Sequence, residues 1–327
     1  MYPIYLESYR NGNLLKVTEK TFKLLESCTI CPRKCKINRL KPARQDLAGG
    51  GEKGFCKTVL LPKVFSHMQH HGEEPPISGQ NGSGTIFFSN CNMRCMYCQN
   101  FKFSQSGLGR EVEIEELADY MLRLQEMKCH NINLVTPTHV LPQILKALYI
   151  AIPKGLKIPI CYNTGGYELP EIIKLLEGIV DIYLPDMRYG DNEKAVKYSS
   201  APDYPLYNRE SVKEMYRQVG TAQIGKDGVI KRGLIIRHLV LPNRISGTEK
   251  IMKFIAEEVS KETYISLMSQ YFPCHKVKEP DPISRRITLS EYQEAQEIMH
   301  KYGFSNGWVQ EASGLDKFAG INMKQNL

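Results

Sequence analysis

Thr85-Ile-Phe-Phe-Ser-Asn-Cys91-Asn-Met-Arg-Cys95-Met-Tyr-Cys98-Gln-Asn100 is the stretch on which the reading of this chain turns. β-Branched and aromatic residues up to Ser89 favour a strand. The strand delivers the chain into a short loop with three cysteines spaced C-x3-C-x2-C. Thiolates are soft ligands that select zinc or iron–sulfur clusters over hard cations. Three ligands from one loop leave one metal position open, as a catalytic centre requires. A structural zinc site completed by a remote Cys or His is the other reading, although such sites usually pair C-x2–4-C knuckles.

Downstream of this loop the chain alternates. Apolar β-rich runs recur at 85–89, 131–136, 158–163, 179–184, 234–241 and 263–268. Helical periodicity lies between them, near 113–127, 141–150, 168–176, 211–219 and 248–259. A last helix is expected over 290–302, with Ser290 and Gln293 as its capping box. Strands alternating with helices imply βαβ units and a parallel sheet. The expected fold is α/β: an open, six-stranded partial (β/α)6 barrel of TIM type. A doubly wound open sheet fits the same alternation.

Upstream, residues 1–80 form a cysteine-rich extension and connector, and 81–327 the barrel with its C-terminal helix. Within the extension a helix is expected near 18–26, followed by a Gly-rich stretch at 49–54. Residues 62–84 hold His67, His70, His71, Glu73, Glu74 and Pro75-Pro76, and read as an irregular connector.

Cys28, Cys31, Cys35 and Cys56 make a second group, C-x2-C-x3-C-x20-C. Four thiolates can close a tetrahedral zinc site or hold a second 4Fe–4S cluster, and the spacing does not choose. Arg33, Lys34 and Lys36 would stabilise a dianionic site there.

The 327 residues are 42% hydrophobic and 24% charged, the composition of an ordinary globular protein. No apolar run approaches the ~20 residues of a membrane span, and no secretory signal is visible, so a cytoplasmic protein is expected. Seven of the ten cysteines fall in the two clusters, which favours reduced thiols serving metals over disulfides. The net charge is +8, and residues 1–60 carry 12 Lys and Arg against 5 Asp and Glu. That basic segment reads as a solvated face offsetting thiolate charge. No aromatic-interleaved RNA-binding motif accompanies it, so nucleic acid is not an expected partner. A non-enzymatic iron–sulfur or zinc protein that binds nucleic acid is the rival class. No Walker loop, H-E-x-x-H or G-x-S-x-G is present, which leaves hydrolase and nucleotidase readings without support.

The C-x3-C-x2-C spacing with Tyr97 before the last cysteine resembles the signature of the radical S-adenosylmethionine (radical SAM) superfamily. The ending Cys98-Gln99-Asn100 looks most like proteins related to the pyruvate formate-lyase-activating enzyme. The resemblance implies a 4Fe–4S cluster on Cys91, Cys95 and Cys98, with S-adenosylmethionine on the fourth iron. It also implies reductive cleavage to a 5′-deoxyadenosyl radical that abstracts hydrogen, and reduced flavodoxin or ferredoxin as electron donor. As its finest reading it implies activation of a glycyl radical enzyme. Radical modification of a small molecule, RNA or another protein is the alternative.

Functional groups of a parallel barrel sit at the C-terminal strand ends. Thr136, Pro137 and Thr138 occupy the place of the family's Gly-Gly-Glu segment, from which this chain departs. Asn163 suits a ribose hydroxyl. Asp186 and Arg188 look like the Asp-x-Lys element, with Arg188 facing the methionyl carboxylate. Arg237 and His238 lie on a strand similar to the family's Arg-x-Val-x-x-Pro run. Gln270, Tyr271 and His275 are candidates for the substrate side and Cys274 for a hydrogen donor, while Cys129 and Cys161 read as core.

Overall fold

All six expected β-rich runs lie in one sheet of the computed structural model, which describes residues 2–41 and 54–310. The strands are β1 (Lys63–His70), β2 (Ser83–Phe88), β3 (Arg110–Glu111), β4 (Ile132–Val135) and β5 (Ile160–Thr164). They continue with β6 (Ile182–Pro185), β7 (Gln223–Ile224), β8 (Ile230–Leu239), β9 (Tyr264–Met268) and β10 (Gly307–Val309). Their order is β10-β9-β8-β6-β5-β4-β2-β1-β3, with β7 beside β8. Neighbours from β10 to β2 pair in parallel; β1 on β2, β3 on β1 and β7 on β8 are antiparallel. The fold is α/β with a mixed sheet, consistent with a partial TIM barrel.

The sheet differs from the expectation at both edges. A seventh parallel strand, β10, extends it. Three residues are too few for a periodic signal, and Gly307 allows the approach: a Cβ there would lie 2.0 Å from the Ile265 carbonyl oxygen. Residues 62–84 are not an irregular connector. They form β1, which pairs along its length with β2, and a short helix, Pro75–Ser78.

That short helix occupies the barrel interior. Ile77 is fully buried against Cys161, Ile182, Leu184 and Ile235, inward residues of β5, β6 and β8. The Asn131 side-chain Nδ2 donates to the Ile77 carbonyl at 2.8 Å, satisfying backbone that a buried loop would otherwise leave unpaired. Glu73 and Glu74, immediately before the helix, are thereby carried to the C-terminal end of the barrel.

The N-terminal segment packs against the opposite end. Two helices, Tyr5–Arg10 and Asn13–Lys23, replace the single helix expected near 18–26. Asp181 accepts from the Ile4 amide at 2.9 Å, and the Tyr5 hydroxyl donates to the Ile158 carbonyl at 2.8 Å. Leu14, Val17 and Leu25 are buried in the same apolar core as the barrel helices. The Gly-rich residues 49–53 lie outside the described residues. No helix among the described residues is long and apolar enough to cross a membrane.

Helices 114–126 and 141–151 fall where the periodicity places them. Helix Tyr204–Val219 begins seven residues before its expected start, with proline in its first turn, where the missing N–H costs nothing. An additional helix spans Asn192–Ser199. The last helix runs Leu289–Lys301 and is capped by Thr288, not Ser290. The Glu291 amide donates to the Thr288 hydroxyl at 3.2 Å, and the Thr288 amide donates to Glu291 Oε2 at 2.8 Å. Both Ser290/Gln293 and Thr288/Glu291 fit a capping box in sequence, and the extended backbone at Thr288 decides between them. Thr288→Ala should therefore destabilise the fold by about 1 kcal/mol in urea unfolding, and Ser290→Ala by at most a few tenths.

Candidate active site

Strand pleating sorts the site. Successive side chains alternate across a strand, so Arg237 points into the barrel while His238 points to the helices. A cavity of about 340 Å³ opens at the C-terminal strand ends. Val135, Thr136, Asn163, Gly165, Asp186, Arg188, Arg237, Ser266 and Gln270 contribute to its wall, with Glu73 and Glu74 from the segment before the interior helix.

The centre of the wall is a buried ion network. Arg237 donates from Nε to Asp186 Oδ1 at 2.8 Å and from Nη2 to Asn163 Oδ1 at 2.6 Å, and its Nη1 lies 3.4 Å from Glu73 Oε2. Asp186 also pairs with the guanidinium of Arg188. Arg237 is thus committed to its neighbours and acts as a positioning residue for Asn163 and Asp186. Arg188 is not fully committed. Its Nη1 lies 3.5 Å from Cys95 Sγ, and its Nε is buried without a partner. A buried guanidinium donor left open beside the cysteine loop fits a ligand carboxylate.

Glu73 and Glu74 were not among the sequence candidates, because they sit in a non-periodic stretch with no motif around them. Burial raises both carboxyls; the nearby Arg237 opposes the shift, and Glu74 is left at about 7. Glu74 Oε2 has no hydrogen-bond partner. The pair therefore offers the cavity a carboxyl that can hold or release a proton near neutrality.

Around the cysteine loop, each thiol has its own partner. Cys91 Sγ accepts from the Met93 amide at 3.4 Å. Cys95 Sγ accepts from the Ser199 hydroxyl at 3.0 Å, and Cys98 Sγ lies 3.1 Å from the Ser104 hydroxyl. Burial pushes the free thiol of Cys91 up to about 12 and that of Cys98 up to about 11, which holds these two protonated. Coordinated iron reverses this, since a metal-bound thiol is deprotonated outright.

Several expected ligands lie elsewhere. Tyr97 is buried behind the loop, its hydroxyl 2.6 Å from that of Tyr189, which meets Ser199 at 2.7 Å. This chain of hydroxyls supports the loop and does not reach the cavity wall. Thr138 is turned away and donates to Glu168, as does Thr164. Pro137 is likewise absent from the wall. His238 is a satisfied core residue, with Nδ1 2.7 Å from the Met187 carbonyl and Nε2 3.0 Å from the Thr248 hydroxyl. Burial lowers it to about 4, so it stays neutral. Of the substrate-side candidates only Gln270 reaches the cavity. Tyr271 donates to the Ile283 carbonyl, Cys274 approaches the Tyr97 carbonyl, and His275 stacks on Phe101. Cys129 and Cys161 are buried in the core.

The radical SAM superfamily model matches residues 85–220. An uncharacterized protein of Methanocaldococcus jannaschii is 30% identical over 305 residues, covering 90% of this chain and 80% of that protein. Among solved structures, a radical SAM methyltransferase from Sphaerobacter thermophilus aligns at 16% identity over 72% of this chain and 68% of that chain, with a TM-score of 0.47. Native anSMEcpe with bound AdoMet aligns at 16% identity over 65% and 58%, with a TM-score of 0.45. Residues 85–220 carry a radical SAM superfamily domain, whose cofactors are a 4Fe–4S cluster and S-adenosylmethionine. The three loop thiols and the open Arg188 donor fit that pair.

Hydrogen bonds to cluster sulfurs set its potential by offsetting thiolate charge. Ser199→Ala should lower the potential by roughly 20–60 mV, about the worth of one hydrogen bond, with iron content unchanged in an EPR-monitored redox titration. Glu168 is fully buried among Tyr162, Thr138 and Thr164, and burial raises it from 4.5 to about 7. The folded state holds that proton longer, so its contribution to stability is complete below pH 4.5 and is lost as pH rises towards 7. Glu168→Gln should make the decline of stability over that interval shallower in urea titrations.

Proposed function

We propose that the protein generates a 5′-deoxyadenosyl radical and uses it on a backbone glycine of a partner protein, activating a glycyl radical enzyme. When bound, the cluster and S-adenosylmethionine supply the electron transfer and the radical. The chain does the rest. Cys91, Cys95 and Cys98 hold the cluster, Arg188 binds the methionyl carboxylate, and Asn163, oriented by Arg237, meets the ribose. Reduced flavodoxin or ferredoxin is the proposed electron donor.

The observation that carries this reading is the size of the cavity. About 340 Å³ lies near the lower end for small-molecule sites, roughly 300–1,000 Å³. A cofactor as large as S-adenosylmethionine fills most of it, so the substrate must present its reacting C–H at the mouth. A glycine on a protein loop meets that demand, and the less buried wall residues His70, Trp308 and Val309 would receive it. A small substrate bearing an amine or hydroxyls is the second reading, favoured by the unpartnered carboxylate oxygen of Glu74.

Anaerobic assays with dithionite should give 5′-deoxyadenosine from the wild type and none from Cys95→Ala. Co-incubation with a candidate glycyl radical enzyme should give a glycine-centred EPR signal that needs both proteins. Deoxyadenosine formation without that signal across candidate partners would exclude the activase reading and leave the small-substrate one.

A further inference from the structure

Outside the active site, the densest chemistry lies in the N-terminal segment. We propose that Cys28, Cys31, Cys35 and Cys56 hold a second 4Fe–4S cluster, seated against the back of the catalytic cysteine loop. The four side chains line one small cavity whose remaining wall includes Ile30, Ile37 and Gly54. All four are free thiols, so no disulfide explains their gathering. Gly54 leaves room for them: a Cβ there would lie 3.3 Å from Cys35 Sγ and 3.1 Å from Ile37 Cδ1.

The charge balance of the cavity requires an anion. Arg39, part of its wall, is 1% exposed. It donates to Cys28 Sγ at 3.7 Å and to the Val59 and His139 carbonyls, and its Nε has no partner. Among the described residues no carboxylate pairs with it. A buried guanidinium without a counter-ion is strongly unfavourable. Four thiolates on a dicationic metal centre supply a net charge of about −2.

A zinc ion on four thiolates carries the same charge of about −2, so the metal count distinguishes it from the cluster.

The two sites are joined. Arg33, between Cys31 and Cys35, donates to the Asn92 carbonyl at 2.9 Å, inside the catalytic loop. Its guanidinium lies 3.6 Å over the ring of Phe55, beside Cys56. Arg94, between Cys91 and Cys95, covers the same ring at 4.6 Å and bonds the Phe55 carbonyl. Occupancy of the second site would therefore fix the backbone that presents the first.

Metal analysis of the anaerobically reconstituted full chain tests this. The expected result is about eight irons and eight sulfides per chain without zinc. The variant Cys91→Ala/Cys95→Ala/Cys98→Ala should make no deoxyadenosine yet keep about four irons and an EPR-active reduced cluster that S-adenosylmethionine does not perturb. About four irons with one zinc in the wild type, or four irons with no other metal, would overturn the proposal. If the triple variant does not fold, the wild-type iron and zinc counts still decide, and they do so whatever the substrate of the enzyme.

Discussion

The guanidinium of Arg237 is the interaction on which the active site depends. It is enclosed at the C-terminal end of the barrel by Asp186, Asn163 and Glu73, groups contributed by β5, β6 and the segment before the interior helix. A charge so buried persists only when fully paired, because losing one partner leaves the others uncompensated. The network therefore locks three separate pieces of chain into one wall. It also keeps Asp186 in place for Arg188, which links the cavity to Cys95.

The interior helix is what brings the carboxylates there. A partial barrel must fill its interior with side chains, and here a segment inserted between β1 and β2 does so with Ile77. Burying Ile77 seats Glu73 and Glu74 above it, in the cavity wall. Packing and electrostatics are thus one arrangement: the apolar anchor sets the height at which two poorly solvated carboxyls meet the cofactor site. A carboxyl that titrates near neutrality and the open Nε of Arg188 give the cavity one proton-holding group and one anion-binding group.

The N-terminal segment contributes support of a different kind. Its helices close the far end of the barrel through Asp181, Ile158 and Gly178. Its cysteine-bearing turns clamp the catalytic loop through Arg33, Phe55 and Arg94. The excess of basic residues over 1–60 is in part this clamp: Arg33 and Arg39 are structural cations held against sulfur, carbonyls and an aromatic face rather than a solvated patch.

The three-cysteine loop, the β/α alternation and the polar strand ends were all legible along the chain, because each is a local pattern of spacing or periodicity. So Cys91, Cys95 and Cys98, together with Asn163, Asp186, Arg188 and Arg237, could be placed before any fold was known. What escaped was long-range. Glu73 and Glu74 belong to the wall only because Ile77 buries inside the barrel, and β10 joins the sheet only because Gly307 lets it approach Ile265. Tyr97, Thr138 and His238 carry the right chemistry at the right positions, yet the pleat and neighbouring hydroxyls turn them away. Sequence alone thus determined which soft donors stand together in one loop, since fixed spacing suffices for that. Which charged groups share the cavity was decided only by tertiary structure, because side-chain direction and burial depend on partners distant in the chain.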